Sequence, residues 1–531
     1  MKNNILLFIV FITSVSIYAQ KPVLSEDFTF EMGEKYKRIK SYNTYNIASG
    51  NRMVSIKKGR TDMTIQRFTL DDLKEDIKRR QIIEDKGEFQ TVMKMGNKAV
   101  VFYTSKDRAF AQNISLTGSI AEKPILVGSD RDNVARDCGF KSTYGFDAGG
   151  RINQFVFKKS FDETKLLVLF RVKTANDKSD EIGISVYDAS LTPIWQRKVR
   201  LPYPTAQIEN EDFTIDNEGN FYMTASIFGK DSNDKDKLKD SFRTEVFKIM
   251  ENPKDITKST IDIPGKSVLD AVIGLDKNGK IRVSGFYVDN ADKTEASGIF
   301  SARLDTTGIV KSIIKNDFPS EKVQQYALER EERVNEGTQK AKDKKNFEDL
   351  KVNDIVYTAD GSMVLLGEQR YVESFTTSSS SGSRTTYTYF YRDIIASKLT
   401  EDGTIAWFHK LPKHQIATRG KSSLSYYNFK RNNKHYLFYI DDFTNLKRSF
   451  NENPTRYFDG KKEFLYLTSY TIDDATGEVI KEPILTGSDI RNARLDLLEV
   501  TKVGTPSKKD MIFEAYDGKK SNLLLKVSVE E

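Results

Sequence analysis

Three histidines and one cysteine are all that this chain of 531 residues offers for imidazole or thiol chemistry. His409 and His414 flank Pro412, and His435 stands apart. A catalytic triad or a histidine-rich metal site needs several polar groups converging, and no spacing here suggests one. Cys138 has no histidine nearby, and the adjacent Asp137 opposes thiolate formation, so a small buried residue is expected rather than a nucleophile. The run Asp231-Ser232-Asn233-Asp234-Lys235-Asp236 gathers oxygen ligands, but it lacks the glycine and the distal glutamate of a calcium loop. A polar hairpin tip is the expectation there. There is no Gly-x-Ser-x-Gly elbow, Walker loop or dinucleotide fingerprint, and no glycosidase pair stands out among the many carboxylates. No catalytic residue, metal or cofactor is expected.

Contact chemistry has a better candidate. Ser374 to Arg392 is a Ser/Thr/Gly run leading into Tyr387, Tyr389, Phe390 and Tyr391. Tyrosine supplies a large contact area at small entropic cost, so Tyr387, Tyr389, Tyr391 and the neighbouring Arg384 are the candidate partner-binding residues. The competing reading is an extended hairpin whose aromatic end is one strand of a sheet, where Tyr and Phe are ordinary.

The element that carries this run is Val352 to Leu411, and it displays a unit that recurs along the chain. A strand at Ile355-Val356-Tyr357 is followed by the turn Asp360-Gly361, an apolar strand Met363-Val364-Leu365-Leu366 and a long polar loop. A third strand (Ile394 to Leu399), the turn Glu401-Asp402-Gly403 and a fourth strand through Trp407 complete it. Similar units run over about 45–83, 89–127, 155–201, 213–263, 269–318 and 424–485, with a shorter one from Leu495. Four short antiparallel strands repeated at a period of tens of residues predict a β-propeller. The second strand of most units is apolar on both faces, as a sheet covered on both sides requires, whereas a sandwich would alternate.

The last unit is one strand short: only Leu497–Val500, Met511–Phe513 and Leu523–Val527 are visible. The N-terminal region has one to spare, Phe28 to Met32. Pairing them closes the ring and leaves no exposed sheet edge. The expectation is therefore a single all-β propeller of about eight four-stranded blades over residues 20–531, with seven the alternative. Two insertions interrupt it, a helical one at about 320–350 and the polar, aromatic hairpin at about 374–392. Lys123 to Asp130 and Glu482 to Asp489 echo each other, each ending a unit.

The segments Thr471 to Val479 and Leu399 to Trp407 resemble the Asp…Gly…Trp docking turns of quinoprotein-like eight-bladed propellers. That superfamily contains quinone-dependent dehydrogenases and a non-catalytic outer-membrane assembly propeller. Tryptophan occurs only at Trp195 and Trp407, where the family pattern places one in most blades, so no site residue transfers. A quinone site of that family also uses a disulfide, which one cysteine cannot form within the chain.

Charge and termini bound the setting. The net charge of +7 is the difference between 83 basic and 76 acidic residues, interspersed without the basic stripe that nucleic-acid binding needs. Lys2 followed by the apolar run Ile5 to Ile17 and the site Ile17-Tyr18-Ala19 reads as a signal peptide over 1–19, too short for a membrane span. No later run is long enough to span a bilayer. The Ala-Gln ending of the signal and the Asn- and Lys-rich composition resemble exported proteins of the Bacteroidetes. The expectation is an exported protein, periplasmic with the extracellular side as alternative. It would act without catalysis as a protein–protein interaction scaffold in the cell envelope, its partner an envelope protein or a glycan. The alternatives are an enzyme acting on polysaccharide or peptide, or a carbohydrate-binding module, using one face of the ring.

Overall fold

The computed structural model describes residues 23–530 except 42, 60, 84–86, 97, 118–122, 131–132, 141–152, 176–177, 230–241, 253–255, 277, 290–293, 324, 329–330, 336–337, 342–346, 359, 380–381, 419–422, 459–463 and 519. The leader and the run 231–236 lie outside the described residues.

Seven sheets follow one another along the chain, each with four antiparallel strands in chain order at its core: residues 43–82, 88–129, 155–204, 208–261, 267–317, 350–411 and 427–486, here blades 1 to 7. Blade 8 is built from Asp510–Tyr516 and Ser521–Val529. Its outer strand comes from the other end of the chain. Phe28–Met32 runs antiparallel to Ser521–Val529, from Phe28 opposite Val529 to Met32 opposite Leu525, and Tyr36–Lys37 pairs further along the same strand.

The packing between sheets makes these blades a ring. Met363 and Leu365 enter a cluster with Phe286 and Ile299 of blade 5, while Val364 and Leu366 enter another with Leu437 and Tyr439 of blade 7. Alternate residues of one strand thus fill two different seams, which is why its sequence is apolar throughout. Every neighbouring pair of blades shares such a cluster. The eighth cluster joins Ile512 and Leu524 of blade 8 to Met53 and Phe68 of blade 1. Eight blades and eight seams in cyclic order define a closed eight-bladed β-propeller. Each large apolar side chain buried there contributes roughly 1.5–3 kcal/mol.

Polar docking reinforces the seams. Trp407 of blade 6 donates from Nε1 to the carbonyl of Asp474 in blade 7 at 3.1 Å, and its ring lies against Gly477. That glycine has φ of +73°, and a methyl group there would come within 2.5 Å of Trp407 Cγ. Trp195 of blade 3 donates to the Gly219 carbonyl of blade 4 at 3.0 Å. Elsewhere Lys248 reaches Thr306 at 2.6 Å and Asn316 reaches Gly403 at 2.8 Å. The docking turns are therefore general, and tryptophan is only one of the side chains that fill them.

Three expectations need correction. Leu497 to Val500 is not a strand: a 3-10 turn spans Leu495–Leu497, and one bridge from Gly504 to Ile512 stands where the inner ladder of blade 8 would begin. Leu498 and Val500 are buried, so they fill the core, while the following Pro506 has no N–H to give a ladder. Among the described residues the insertion at 320–350 is helical only over Ser320–Val323, and Glu331–Asn335 pairs antiparallel with Thr338–Ala341. Its apolar positions are too sparse for a helix to bury a stripe. The polar loop after Leu366 is a continuing strand, Met363–Ser379, paired with Gly382–Leu399 except at a break between Glu368 and Arg370, so the hairpin expected at about 374–392 is present and its root reaches back into the blade.

Candidate functional site

The second and third strands of blade 6 are 17 and 18 residues long, about twice those of the other blades. Residues 363–368 and 394–399 belong to the blade. Past them the ladder is interrupted between Glu368 and Arg370, and a two-stranded arm continues as far as the pair Ser379 and Gly382. In an antiparallel blade, turns between strands two and three emerge on the same face as the links from blade to blade, so the arm rises from that face.

Charged residues occupy the break. Glu368, Gln369, Arg392 and Asp393 are all buried there. Lys413, on the link from blade 6 to blade 7, meets the Glu368 carboxylate at 2.8 Å, with both side chains wholly buried. Its backbone N–H donates to Asp393 at 3.2 Å, and Lys410 pairs with Asp393 at 3.6 Å. Ser425 donates to Glu368 and Tyr326 donates to Asp393, each at 2.8 Å. Burial lowers the pKa of Lys413 against the pull of Glu368, and likewise that of Lys410 against Asp393. Burial, and then the Asp393 charge, push the Tyr326 phenol well up. No substrate can reach the Lys413–Glu368 pair, so this constellation is a brace: it pins the root of the arm to the link that crosses it.

The same link thickens the arm. Gln415–Ala417 adds to it as a strand opposite Tyr389, Phe390 and Tyr391, and Gln415 and Ile416 pair in parallel with Tyr457 and Phe458. Tyr371 stacks on Phe390 at 4.4 Å, with Ile416 beside them and the Arg392 guanidinium 5.1 Å above Tyr371.

The four candidate contact residues divide on this scaffold. Tyr387, Tyr389 and Tyr391 share one face by the two-residue period of a strand, and Arg384 belongs to the other. Tyr389 and Tyr391 are buried in the cluster that joins blades 7 and 8, with Tyr387 half-buried at its margin. Tyr389 and Tyr391 are therefore not a surface for a partner, because the arm leans on the ring and its aromatic side is the side that packs. Arg384 is exposed, together with Ser374, Thr376, Thr377, Ser378, Ser383 and Thr385. Cross-strand hydroxyl pairs, Thr376 with Thr385 at 2.8 Å and Ser378 with Ser383 at 3.1 Å, tie the tip.

A second polar set, not anticipated above, lines the ring's axis. The innermost strands of blades 4, 5 and 6 each carry a β-bulge followed by aspartate: Asp212, Asp270 and Asp354. Asp212 accepts from the Ile273 N–H of blade 5 at 3.0 Å, and Asp270 from the Val352 N–H of blade 6 at 2.7 Å. Lys158 lies 3.8 Å from Asp212, and Lys351 3.3 Å from Asp270. Asp354 is held by Asn428 at 3.0 Å and reached by solvent, yet the protein around it raises its pKa by desolvation. The signal was present as an aspartate before the first apolar strand of three successive units: Glu-Asp-Phe-Thr-Ile, Leu-Asp-Ala-Val-Ile and Asn-Asp-Ile-Val-Tyr.

The histidines do not converge. His435 and His414 are buried in different surroundings, and His409 lies beside the Trp407 ring. Cys138 is buried at the seam between blades 3 and 4.

No family model and no curated protein matches the chain. Solved structures similar to it include the WD40 domain of SCAP from fission yeast, at 9% identity and a TM-score of 0.38 over 96% of each chain. The β-propeller domain of the Trilobed protease from Pyrococcus furiosus is similar at 9% identity and a TM-score of 0.34, over 82% of this chain and 97% of that one. The polysaccharide lyase Uly1 is similar at 10% identity and a TM-score of 0.37, over 83% and 90%.

Proposed function

We propose that this protein is an exported, non-catalytic propeller that holds an envelope protein partner on the arm of blade 6. The observation that carries this reading is the contrast along the arm, a charged, buried root below a polar, exposed tip. On residues 383–388 the outer strand edge has no strand partner among the described residues. Such an edge accepts an extended segment by strand addition, with main-chain hydrogen bonds supplying affinity and neighbouring side chains selectivity. Arg384 and the hydroxyls around it are the contacts such a segment would meet. The leader over 1–19 supports export, with the periplasm as the compartment, and the Trp407 and Trp195 docking supports the resemblance to quinoprotein-like propellers.

The test is a crosslinking pull-down from envelope extracts of the native host with the intact protein and with residues 374–388 replaced by Asn-Gly. A partner captured reproducibly by the first and lost from the second is expected. A partner held equally by both refutes the arm as the docking element. A second reading, hydrolysis or cleavage of polysaccharide at the axis, is favoured by the place of Asp354, an exposed carboxylate after the bulge of an innermost strand, whose pKa desolvation raises. Turnover abolished by Asp354→Asn in a correctly folded protein would establish it over the scaffold.

A further inference from the structure

On the face opposite the arm, a cleft of about 790 Å³ lies between blades 7 and 8, lined by Lys430, Arg431, Asn432, Asn433, Ser507, Lys508, Lys509 and Asp510. Its walls come from two turns. Asn432 and Asn433, with φ of +46° and +57°, make the tight turn between Arg431 and Lys434, which sets Lys430 and Arg431 on one rim. Residues 507–510, entering blade 8, supply the other.

Four cations thus face one carboxylate, and that carboxylate is engaged: Asp510 accepts from Ser507 at 2.7 Å and from Ser528 at 2.6 Å. Lys430 lies 3.7 Å from Asp474, and Arg431 donates to the Val529 carbonyl. Lys508 and Lys509 are exposed and have no carboxylate within ion-pairing distance among the described residues. Like charges gathered in a concave site repel one another and raise the local concentration of counter-ions. The space far exceeds the ~30 Å³ share of one water molecule, so it admits a ligand with several charged groups rather than one small ion. Lysine acts as a point-charge binder of phosphate, and arginine adds directional donors.

We propose that this cleft binds a ligand carrying two or more phosphate groups, bridging blades 7 and 8 at the seam next to ring closure. Because the ligand holds both blades, it stabilises the folded ring by mass action. The phosphates could belong to a soluble polyphosphorylated molecule or to lipid headgroups, and two probes separate these sources. Tripolyphosphate is titrated calorimetrically at low ionic strength, and vesicles of phosphatidylcholine with and without cardiolipin, whose headgroup carries two phosphates, are tested by co-sedimentation. Binding in either arm is expected, weakening as salt rises, with a higher melting temperature in the soluble arm. Lys508→Glu/Lys509→Glu should weaken it by about tenfold or more, since each reversal replaces attraction by repulsion. The same reversal at the exposed pair Lys78 and Arg79 on blade 1 controls for net charge and should leave it unchanged. Absence of binding in both arms, or equal loss in the control variant, overturns the proposal. The arm truncation above leaves this cleft intact, so either idea can fail without the other.

Discussion

Blade 6 has strands in surplus and blade 8 has a deficit, and the ring treats the two differently. Blade 6 gains the arm and two further strands without disturbing its seams, because everything extra attaches beyond the ladder break at Glu368. Blade 8 has lost most of its inner strand and borrows its outer one from the N-terminus. That repair is elaborate. Phe28 meets Tyr436 and Phe438 of blade 7 edge-on at 5.9 and 5.8 Å. Tyr36 donates to Glu514 at 2.8 Å, and Lys57 of blade 1 forms an ion pair with the same carboxylate. Burial alone would raise the Glu514 pKa, but the Lys57 ammonium and its hydrogen bonds outweigh that and hold it below the ordinary glutamate range. A propeller can grow outward from any blade at little cost, whereas a missing wedge strand exposes two seams at once.

Breaking the borrowed strand should therefore have the largest effect. Removal of residues 20–40 takes away Phe28, Tyr36 and both pairings to Ser521–Val529. The expected loss is about 5 kcal/mol or more, comparable with the whole stability of an ordinary domain. It is read as a collapse of the thermal transition or failure to fold. An unchanged melt would mean that the ring does not depend on this closure.

The root of the arm comes next. Lys413→Met leaves Glu368 charged and buried without its cation, which costs roughly 3–5 kcal/mol. Adding Glu368→Leu should restore much of it, since an apolar pair of similar volume has no charge to desolvate. Chemical denaturation of the single and double variants measures both. A Lys413→Met protein as stable as the parent would show that the pair braces nothing.

Most of the ring was legible because its period is a packing requirement. A strand buried on both faces must be apolar throughout, as in Met363 to Leu366 and Leu166 to Phe170, and each such strand marked a blade. The spare strand at Phe28 was legible for the complementary reason that an open edge is costly. Failures came where local composition is ambiguous. Leu497 to Val500 is apolar enough for a strand, and only the turn chemistry around Gly504 and Pro506 shows that it packs without a ladder. Of the two readings of the tyrosines at 387, 389 and 391, the strand of an extended hairpin is the one found; the contact surface fails for Tyr389 and Tyr391, because apolar area serves a core as well as an interface and the register of a leaning arm is not written in composition. The brace was missed altogether, because Glu368 and Asp393 are paired with residues about 45 and 20 positions away in the sequence.

Acid sharpens the comparison between seams. His435, at the seam of blades 6 and 7, faces Asp474 at 3.9 Å with Lys398 and Lys430 close by. Burial first, and then Lys430, lower its pKa to about 4, with Asp474 opposing. Unfolded, the imidazole titrates near ~6.5. Its contribution is therefore complete above ~6.5, falls as the pH drops from ~6.5 to about 4 because only the unfolded chain takes the proton, and changes no further below that. The total is about 3 kcal/mol. His414, also lowered by burial, adds in the same direction. His435→Gln should flatten the stability profile across that window, and a slope identical to the parent's would show that His435 is not the titrating group.

The smallest effect is expected at the arm's tip, and its smallness is informative. Thr376 and Thr385 pair across the two strands at 2.8 Å, but both are exposed, and water replaces whatever bond is lost. Thr376→Ala with Thr385→Ala should change stability by no more than about 0.5 kcal/mol, as surface substitutions away from caps and cores do. Breaking the pair that holds Glu368 at the root would then cost several kcal/mol more than altering Thr376, eight residues further along the same strand. A tip that proved as costly to alter as the root would mean that it is packed against something, and the arm would have to be read as part of the ring.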